Sequence, residues 1–473
     1  MGLKTDVFAS YKKIDEAYVD ELLDKEIAAN NKKIVVLDDD PTGVQTVHDI
    51  SVYTNWSKDS ILKGFREENK LFYVLTNSRG FTAEETTKAH KDIAAVVDEV
   101  SKETGIEYVF ISRSDSTLRG HYPLETVLLR EAYEKSTGKQ IDGEIMCPFF
   151  KEGGRFTIDD VHYVKYGDDL VPAAETEFAK DKTFGYTKSN IREYVEEKTK
   201  GAFKAENVTS IALEDIHNMD FDKIEAQLMA VKDFNKIIVN SIDYADIKVF
   251  CVALYRAMAK GKVFMFRTAA GIVKVMGGVS DQPLLTREQM VVKETANGGI
   301  IVVGSHTDKT TKQVEMLKEN KNIEFVELNA TLVKDEAAFQ AEVDRCLALE
   351  EACIAAGKTV CVYTTRALIT ADTGDKEDDL RLAVKISEAV ASLVGRLTIV
   401  PSFVIAKGGI TSSDIGTKAL AVQKANVLGQ IKPGIPVWQT GDESKFPLTP
   451  YVIFPGNVGE ISTLKEAAEV LMA

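Results

Sequence analysis

Cysteine, histidine and tryptophan are scarce in this chain, and each scarcity excludes a class of structure. The 473 residues include five cysteines, six histidines and two tryptophans. The cysteines form no CxxC pair and have no histidine nearby at the spacing of metal ligands, which argues against a disulfide framework and a structural zinc site. We therefore expect buried, reduced thiols and a cytoplasmic protein.

Long apolar runs and an excess of positive charge are also missing. No apolar run reaches the roughly 18 residues of a membrane-spanning helix, and the polar N-terminal segment MGLKTDVFASYKKIDEAY predicts neither a secretory signal nor myristoylation. Acidic residues exceed basic ones, 73 to 58, which gives a net charge of −15. That charge argues against a nucleic-acid partner, but a few arginines would suffice to bind a small anion.

What the chain does have is length and a recurring pattern. Its length predicts two domains. Continuous apolar runs predict strands buried on both faces, and helical stretches between such strands predict a mostly parallel sheet. A short aliphatic run followed by small and polar residues occurs at 32–43, 71–80, 108–120, 236–246, 262–271, 298–313, 358–366, 402–414 and 450–459.

The sequence therefore predicts an α/β protein of two domains, each a mostly parallel sheet flanked by helices, with the active site in the interdomain cleft. The polar segment VVKETANGG at 291–299 predicts the boundary, with domains at 1–290 and 297–473. Within the first domain, residues 145–200 lack the pattern and predict an excursion of hairpins and loops over the active site. Helices are expected at 82–100, 310–318, 376–394 and 412–427.

Charged side chains cluster after three strands of the first domain. The clusters are DDD at 38–40, NSR at 77–79 and RSDSTLR at 113–119. Ligands of open α/β sheets bind outside the carboxyl ends of strands, where arginine can bind a carboxylate bidentately and aspartate can accept a hydroxyl proton. One such cluster could be a set of ion pairs at a solvated edge. Three on successive strands favour a site for a small polyhydroxy acid.

Glycine-rich turns follow three strands of the second domain. They are GSHT at 304–307, KGGITSSD at 407–414 and PGNVG at 455–459. Glycine lets the backbone approach a ligand closely, and a helix N-terminus presents free N–H groups to an anion. None of the turns matches the P-loop or the dinucleotide-binding pattern, but three together favour a nucleotide site. The combination of the two domains predicts phosphoryl transfer with Mg²⁺.

These clusters contain six short motifs that lie in one order along nearly the whole chain. They are Asp39-Asp40-Pro41-Thr42-Gly43, Ser78-Arg79, Arg113-Ser114-Asp115-Ser116-Thr117, Gly304-Ser305, Gly408-Gly409-Ile410-Thr411-Ser412 and Gly456-Asn457-Val458-Gly459. With them the sequence resembles the four-carbon acid sugar kinase family, whose members join an N-terminal sugar-acid-binding domain to a C-terminal nucleotide-binding domain. Pro41, Ile410 and Phe454-Pro455 replace the family's usual Phe, Glu and Lys-Ser.

The resemblance implies ATP-dependent phosphorylation of a four-carbon aldonate or keto-aldonate, such as threonate, erythronate or an oxo-tetronate. The expected partners are the sugar acid and ATP with Mg²⁺. The sequence does not identify a set of ligands for Mg²⁺. A homodimer is a further possibility. Two other functions stay open from the residues. One is a phosphatase or phosphotransferase with an aspartate nucleophile after the first strand, which leaves the glycine turns unexplained. The other is a sugar-acid sensor without turnover.

For the acceptor site we expect Asp40 to be the general base, with Asp39 as the alternate and Asp38 in a supporting role. A cap on the following turn is the competing interpretation of Asp40. Arg79 and Arg113 are expected to clamp the substrate carboxylate. The residues expected to bind the sugar acid are Arg79, Arg113, Asp115, Ser116 and Thr117.

Three further assignments in the first domain keep an alternative. Arg119 is expected to face the transferred phosphoryl group, or else to be a structural tie to its loop. An ion pair with Asp115 is the alternative for Arg113. The segment 175–178, with Asp181, either closes over the substrate or is a solvated loop.

The nucleotide site is expected along the glycine turns of the second domain. Their backbone N–H groups and hydroxyls are suited to phosphate oxygens. The residues expected to bind the nucleotide are Ser305, Thr307, Gly408, Gly409, Thr411, Ser412, Gly456 and Asn457.

Overall fold

The computed structural model describes residues 3–367, 369–370, 376–456 and 458–473. Contacts divide the chain into two compact units, each described here by itself. The first comprises Met1–Gly43 and Asn55–Asp281, and the second comprises Val44–Thr54 and Gln282–Ala473. The division expected from the sequence, at 1–290 and 297–473, would put residues 44–54 with the N-terminal half, whereas their contacts lie with the second unit.

The strands, numbered along the chain, are β1 (Leu3–Lys4), β2 (Lys33–Asp38), β3 (Ile50–Tyr53), β4 (Leu71–Leu75), β5 (Tyr108–Arg113), β6 (Gly143–Cys147), β7 (Arg155–Ile158), β8 (Val161–Tyr166), β9 (Asp169–Pro172), β10 (Thr209–Ile211), β11 (Asn235–Val239), β12 (Phe264–Thr268), β13 (Ile300–Val303), β14 (Ile323–Leu328), β15 (Thr359–Thr364), β16 (Val404–Lys407), β17 (Lys424–Lys432), β18 (Ile435–Thr440) and β19 (Pro450–Phe454).

The helices are α1 (Glu16–Ala29), α2 (Lys58–Arg66), α3 (Ala83–Thr104), α4 (Leu124–Thr137), α5 (Ile191–Lys198), α6 (Leu213–His217), α7 (Phe221–Ala230), α8 (Tyr244–Ala259), α9 (Ala270–Met276), α10 (Arg287–Met290), α11 (Asp308–Leu317), α12 (Glu336–Ala355), α13 (Lys376–Gly395), α14 (Gly409–Asp414) and α15 (Thr463–Met472). In the described ranges, none of these helices is long and apolar enough to cross a membrane.

A parallel sheet forms the centre of the first unit. Its order is β10-β11-β6-β12-β5-β2-β4, and every neighbouring pair is parallel. All six residues of β2 are buried, because this strand has a neighbour on each side and helices pack on the sheet. The two-domain α/β architecture with largely parallel sheets is therefore confirmed.

Helix α3 shows how local sequence sets an element of this unit. Thr82 and Glu85 form a capping box at its start, and Gly105, at φ 71°, ends it. Its buried side chains recur every three or four residues, so one stripe faces the core. The expected helix at 82–100 is confirmed and extends by one further turn.

Three strands between β6 and α5 join the N-terminal strand β1 in an antiparallel sheet, which we call the cover sheet. Its order is β1-β9-β8-β7, so the N-terminal strand pairs with a strand more than 150 residues later, as Leu3 lies opposite Leu170. The hairpin β7–β8 pairs Thr157 with His162. These short strands alternate inward and outward side chains and carry turns rich in Gly and Asp, which is why the long apolar runs of the parallel sheet are missing here.

The second unit has a sheet of order β3-β17-β18-β19-β16-β13-β15-β14. From β19 to β14 the strands are parallel, whereas β3, β17, β18 and β19 pair antiparallel. Residues 44–54 lie in this unit because β3 pairs with β17, with Ile50 opposite Val427. The Asp49 N–H also donates to the carbonyl of Val427 at 2.7 Å.

The helix expected at 412–427 is wrong beyond its first half. Helix α14 ends at Asp414, a π-helical turn covers Ile415–Ala419, and β17 follows. In β17 buried and half-buried side chains alternate strictly, which is the period of a strand. The pairing partners β3 and β18 on its two sides outweigh the local helical tendency of the preceding residues.

The five cysteines are free thiols, as expected from the sequence. Four of them are buried, and Cys353 is half-buried. Burial raises the pKa of Cys147 and Cys361 to about 12, so both stay protonated and unreactive near neutral pH.

One ion pair lies entirely within the core of the first unit. Lys236 on β11 lies opposite Glu144 on β6, and its Nζ is 2.7 Å from Glu144 Oε2, with both side chains 0% exposed. The Tyr122 hydroxyl donates to the same oxygen at 3.1 Å, and the Phe234 ring centroid is 3.4 Å from the ammonium. Each charge therefore depends on the other for compensation.

Replacing Lys236 by Met should leave the Glu144 charge buried and unpaired. We expect the free energy of unfolding to fall by about 3–5 kcal/mol in urea titrations. The double variant Lys236→Met/Glu144→Gln removes both charges and keeps an acceptor for Tyr122, so it should recover most of the loss. A double variant as unstable as the single one would show that the pair is not the origin of the effect.

Candidate functional site

The three charged clusters of the first unit follow adjacent strands. Strand β2 lies between β4 and β5, and all three run parallel, so residues 38–40, 77–79 and 113–119 converge at one edge of the sheet. This edge is the carboxyl end, where open α/β sheets bind ligands. The expected substrate-site residues are thus neighbours. Arg79 and Arg113, however, which were expected to bind the substrate carboxylate, contact the aspartates at 38–40.

Asp38 is the most deeply buried of the three consecutive aspartates. Its side chain is 1% exposed, and burial raises its pKa to about 8 despite the nearby Arg113. Arg113 Nε lies 2.8 Å from Asp38 Oδ1, but its N–H is not aimed at that oxygen, so the contact is electrostatic rather than a hydrogen bond. Asp38 therefore compensates a buried guanidinium and does not reach solvent.

Asp39 binds Arg79 bidentately. Arg79 Nη2 donates to Oδ1 at 2.6 Å and Nε to Oδ2 at 3.2 Å, while Arg113 Nη1 donates to Oδ1 at 3.3 Å. Burial raises the pKa of Asp39 although both guanidiniums oppose the shift. Its oxygens are thus occupied by the two arginines that the sequence assigned to the substrate carboxylate.

Asp40 is the aspartate of the run that reaches the surface of the site, with 15% of its side chain exposed. Its Oδ1 accepts hydrogen bonds from the Thr42 N–H at 2.8 Å and the Thr42 hydroxyl at 2.5 Å, and Arg79 Nη1 donates to Oδ2 at 3.2 Å. Burial alone would raise its pKa, but Arg79, Arg113 and the Thr42 hydrogen bonds outweigh burial and lower it. Asp40 therefore caps the following turn and stays ionised as well.

Glycine at 43 is required by the close approach of this turn to the ion pair. A Cβ on Gly43 would lie 1.9 Å from Arg113 Nε and 2.2 Å from Asp38 Oδ1. No side chain fits there without separating the two charges, which explains the Thr-Gly of the motif in physical terms.

Arg119 joins its own loop to the segment at 175–181. Its Nε donates to Asp115 Oδ2 at 2.7 Å, its Nη1 lies 3.8 Å from Asp181 Oδ2, and its guanidinium carbon is 5.1 Å from the ring centroid of Phe178. Burial alone would raise the pKa of Asp115, but Arg119 and Arg79 hold it well below its usual range. The alternative pairing of Arg113 with Asp115 is not the one formed, since Arg113 contacts Asp38 and Asp39.

The loop at 115–120 is held by side chains that the sequence did not identify. Four consecutive carbonyls, those of residues 116–119, each accept a hydrogen bond at 2.7 Å from a buried side chain of another element. Leu118 and Gly120 have φ of 68° and 116°, so the chain turns sharply while its carbonyls are bound. The four donors are His162 Nε2, Tyr186 Oη, Tyr194 Oη and Arg267 Nη2.

His162 on β8 is a packed, neutral histidine. Burial lowers its pKa to about 4. Since the Ser116 carbonyl can only accept, Nε2 carries the proton and Nδ1 accepts from the Thr157 hydroxyl at 3.0 Å. The hairpin β7–β8 is therefore attached directly to the loop that carries Asp115 and Ser116.

In the second unit the glycine turns also converge at the carboxyl ends of neighbouring parallel strands, in the order β19-β16-β13-β15. The Thr310 hydroxyl donates to Ser305 Oγ at 3.1 Å and to the Gly456 carbonyl at 3.4 Å. A Cβ on Gly304 would lie 2.3 Å from Thr411 Oγ1. The backbones of the three turns are thus packed against one another, with Thr307 capping α11 between them.

The other residues that were expected to bind the nucleotide differ in their surroundings. Gly408 and Gly409 lie at the start of α14, where Gly408 has a φ of 121°. The Ser412 hydroxyl is buried and donates to the Ala406 carbonyl at 2.9 Å, so it is used within the fold. Asn457 lies outside the described residues.

Two cationic side chains at this edge were not among the expected site residues. Lys407 is buried at the end of β16, and its Nζ donates to the carbonyls of Pro455 at 2.6 Å and Gly456 at 3.0 Å. Burial lowers its pKa to about 7. Arg366, two residues after β15, donates from Nη1 to the Ser305 carbonyl at 2.6 Å. Lys407 ends an aliphatic run and Arg366 lies two residues after a strand, so the position of each at a strand end is the signal that could have identified it.

A cluster of metal ligands is not found in either unit among the residues that the structure describes. In the part of the chain that the structure describes, no group of three or more His, Cys, Asp and Glu side chains is arranged to hold a metal ion. The carboxylates of the first site are occupied by arginines, and the second site offers hydroxyls, carbonyls and cations. These residues do not by themselves fit Mg²⁺.

Comparison with known families identifies both halves of the chain. A family described as "Sugar-binding N-terminal domain" matches residues 34–276, and one described as "Nucleotide-binding C-terminal domain" matches residues 300–464. None of the curated proteins matches the chain in a sequence comparison.

Solved structures share the fold. The Haemophilus influenzae protein HI1011, of the family DUF1537, is 17% identical with a TM-score of 0.60, over 93% of this chain and 100% of that one. A protein from Salmonella typhimurium LT2, named as a candidate tRNA synthase, is 14% identical with a TM-score of 0.65, over 92% of this chain and 98% of that one. At these identities the similarity establishes the fold alone.

From the lowered pKa of Lys407 we predict how the free energy of unfolding changes with pH. Between pH 7 and the unfolded-state value of about 10.4, the unfolded chain holds a proton that folded Lys407 lacks. Raising the pH therefore disfavours unfolding, and stability should rise through this window by up to about 1.4 kcal/mol per pH unit. Urea unfolding at several pH values should show this slope in the wild type and its loss in Lys407→Met. Equal slopes in both proteins would contradict the prediction.

Proposed function

The chain belongs to the family that joins a sugar-binding N-terminal domain to a nucleotide-binding C-terminal domain, the four-carbon acid sugar kinase architecture, and on this premise we propose that it is an ATP-dependent kinase for a four-carbon sugar acid. The transferred group would be the terminal phosphoryl group of ATP, and the acceptor a hydroxyl of an acid of the threonate, erythronate or oxo-tetronate type.

The observation that carries the proposal is the state of Asp40. Of the three aspartates after β2 it is the one exposed to the site, and its pKa is lowered, so it is ionised at neutral pH. An ionised carboxylate within reach of a hydroxyl can orient it and accept its proton as the phosphoryl group is transferred. Asp39 is the alternate, although both of its oxygens bind Arg79.

Ser116 and Thr117, beside Asp115, are proposed to contact the substrate hydroxyls. Their loop is held by buried donors on its carbonyl side, so it is preorganised before any ligand binds. A rigid loop loses little conformational entropy on binding. Arg119, which is anchored to Asp115 yet partly exposed, is proposed to approach the transferred phosphoryl group.

For the nucleotide we propose the converging turns of the second unit. The donors are the hydroxyls of Ser305, Thr307 and Thr411 and the backbone of Gly408, Gly409 and Gly456, with Ser412 and Asn457 in supporting positions. Lys407 lies at the same edge, and a phosphate nearby would favour its charged form. We expect Mg²⁺ to bind together with the phosphates of ATP and to keep most of its water, since the described residues contain no cluster of carboxylates arranged to hold it.

The burial of Asp38 weakens the alternative of an aspartyl nucleophile. A carboxyl that is 1% exposed and lies 2.8 Å from the guanidinium of Arg113 is not accessible to a phosphoryl group. The kinase proposal also accounts for the glycine turns of the second unit, which a phosphatase would not need.

Asp40→Asn should lower kcat by roughly 10²- to 10⁴-fold, because it removes the proton acceptor and keeps the shape of the side chain. The assay is ATP consumption against a panel of four-carbon aldonates and 3-oxo-aldonates, with the phosphorylated product identified by mass spectrometry. Asp233→Asn is the matched control, since Asp233 is exposed, away from the site and at a φ of 60° that Asn tolerates.

Failure of the wild type to consume ATP with any acid of the panel would reject the kinase. Binding of an acid without turnover would favour the sensor, and a trapped phospho-aspartate would favour the phosphatase.

Gly408→Ala should weaken the binding of ATP without affecting the binding of the sugar acid. Its φ of 121° disfavours any side chain, and a Cβ would lie 3.1 Å from Ser305 Cβ. Strain of about 1–3 kcal/mol should displace the turn and raise the KM of ATP roughly tenfold, with the KM of the acid unchanged. Gly261→Ala, at φ 99° with nothing within 4 Å of its Cβ, is the control for backbone strain alone. Equal effects on both KM values would remove Gly408 from the nucleotide site.

A further inference from the structure

Arg155, the first residue of β7 in the cover sheet, is a guanidinium without an anionic partner. Its Nε is fully buried and has no hydrogen-bond acceptor. Throughout the described ranges, no carboxylate comes within ion-pair distance of this guanidinium and no residue accepts a hydrogen bond from it. The proposed function leaves this residue unused.

The other arginines of the site are all compensated. Arg79 binds Asp39 and Asp40, Arg113 contacts Asp38 and Asp39, and Arg119 binds Asp115. A buried Nε–H without an acceptor is unfavourable, and burial accordingly lowers the pKa of Arg155, although Asp115 opposes that shift. An unpaired charge of this kind at a site points to a ligand and adds nothing to stability.

Arg155 is next to the acceptor site. Its guanidinium carbon lies 5.4 Å from the ring centroid of Phe178, the ring that Arg119 also contacts, at 5.1 Å. The two cations repel, and Arg119 contributes to the lowered pKa of Arg155. An anion bound at Arg155 would offset this repulsion and supply the missing acceptor.

The position of Arg155 relative to the substrate loop is fixed. Thr157, two residues further along β7, hydrogen-bonds to His162, and His162 donates to the carbonyl of Ser116. The strand that carries Arg155 is thus tied to the loop proposed to bind the substrate hydroxyls. An acid whose hydroxyls lie at that loop would bring its carboxylate within the range of a long arginine side chain.

We propose that Arg155 binds the carboxylate of the sugar acid and sets the preference for acids over neutral polyols, while Arg119, across the Phe178 ring, keeps its proposed place beside the transferred phosphoryl group. This inference rests on the proposed function, because it names the part of the same site that recognises the acid. It moves the carboxylate clamp from Arg79 and Arg113, which are already paired, to the cover sheet. The segment at 175–181 then matters through Phe178, which holds both guanidiniums.

The test compares Arg155→Met with the wild type by calorimetric binding and by turnover. The ligands are the four-carbon aldonates of the panel, the corresponding aldonamides, which lack the charge, and the tetritols, which lack the carboxyl group. Arg155→Met should weaken aldonate binding by roughly 10- to 100-fold, the usual loss for a charge-assisted hydrogen-bonded pair. Binding of the aldonamides and the KM of ATP should stay within about twofold, as neither depends on the charge.

Two further variants separate recognition from structure. Arg155→Lys keeps the charge but not the bidentate geometry, so it should recover part of the preference for acids. Lys165→Met removes a positive charge from an exposed position on β8 and should change nothing. Because Arg155 has no partner to lose, Arg155→Met should keep the wild-type Tm or exceed it.

The outcomes distinguish this inference from the kinase proposal. If the wild type binds aldonates and does not consume ATP, the kinase fails, and the loss of binding in Arg155→Met still supports the clamp. If turnover is present and the preference for acid over amide is the same in Arg155→Met, the clamp is wrong and the kinase stands. A lower Tm with unchanged preference would make Arg155 structural. Neither binding nor turnover in the wild type would reject both.

Discussion

The ion pairs between the aspartates after β2 and the arginines after β4 and β5 are the constraint on which the site of the first unit depends. Arg113 is 5% exposed, so its charge is largely shielded from solvent and requires Asp38 and Asp39 beside it. The ion pairs can form only because the parallel strands β4, β2 and β5 end side by side. They also explain the glycine at 43, whose missing side chain leaves room for the pair.

Depth in the fold, rather than residue type, separates the consecutive aspartates chemically. Burial raises the pKa of Asp38 and Asp39, whereas the arginines and the Thr42 hydrogen bonds lower that of Asp40. The same contacts occupy Arg79 and Arg113, whereas Arg155 on the cover sheet has no carboxylate within ion-pair distance among the residues that the structure describes. A site built in this way can offer one ionised carboxylate to a hydroxyl and one unpaired guanidinium to an acid, which suits a hydroxy acid as ligand.

In the second unit the candidate nucleotide site depends on close packing between the backbones of its glycine turns. Its turns approach one another so closely that glycines at 304 and 408 have almost no space for a side chain, and Lys407 is held by two carbonyls of the neighbouring turn. The strand at 50–53 belongs to this unit although it follows the first site directly in the chain. Its antiparallel pairing with β17 accounts for this place.

The amino-acid sequence was sufficient for the two-domain α/β architecture and for the nine strands whose apolar runs end in polar residues, since a strand buried on both faces has a distinctive composition. It also located the charged clusters, because parallel strands bring their carboxyl ends to one edge. It could not assign a partner to each arginine, reveal Arg155 or Lys407, or show that 424–432 is a strand. Those features depend on contacts between residues far apart in the chain, and only such contacts determine which charges are buried, which are paired and which remain open to a ligand.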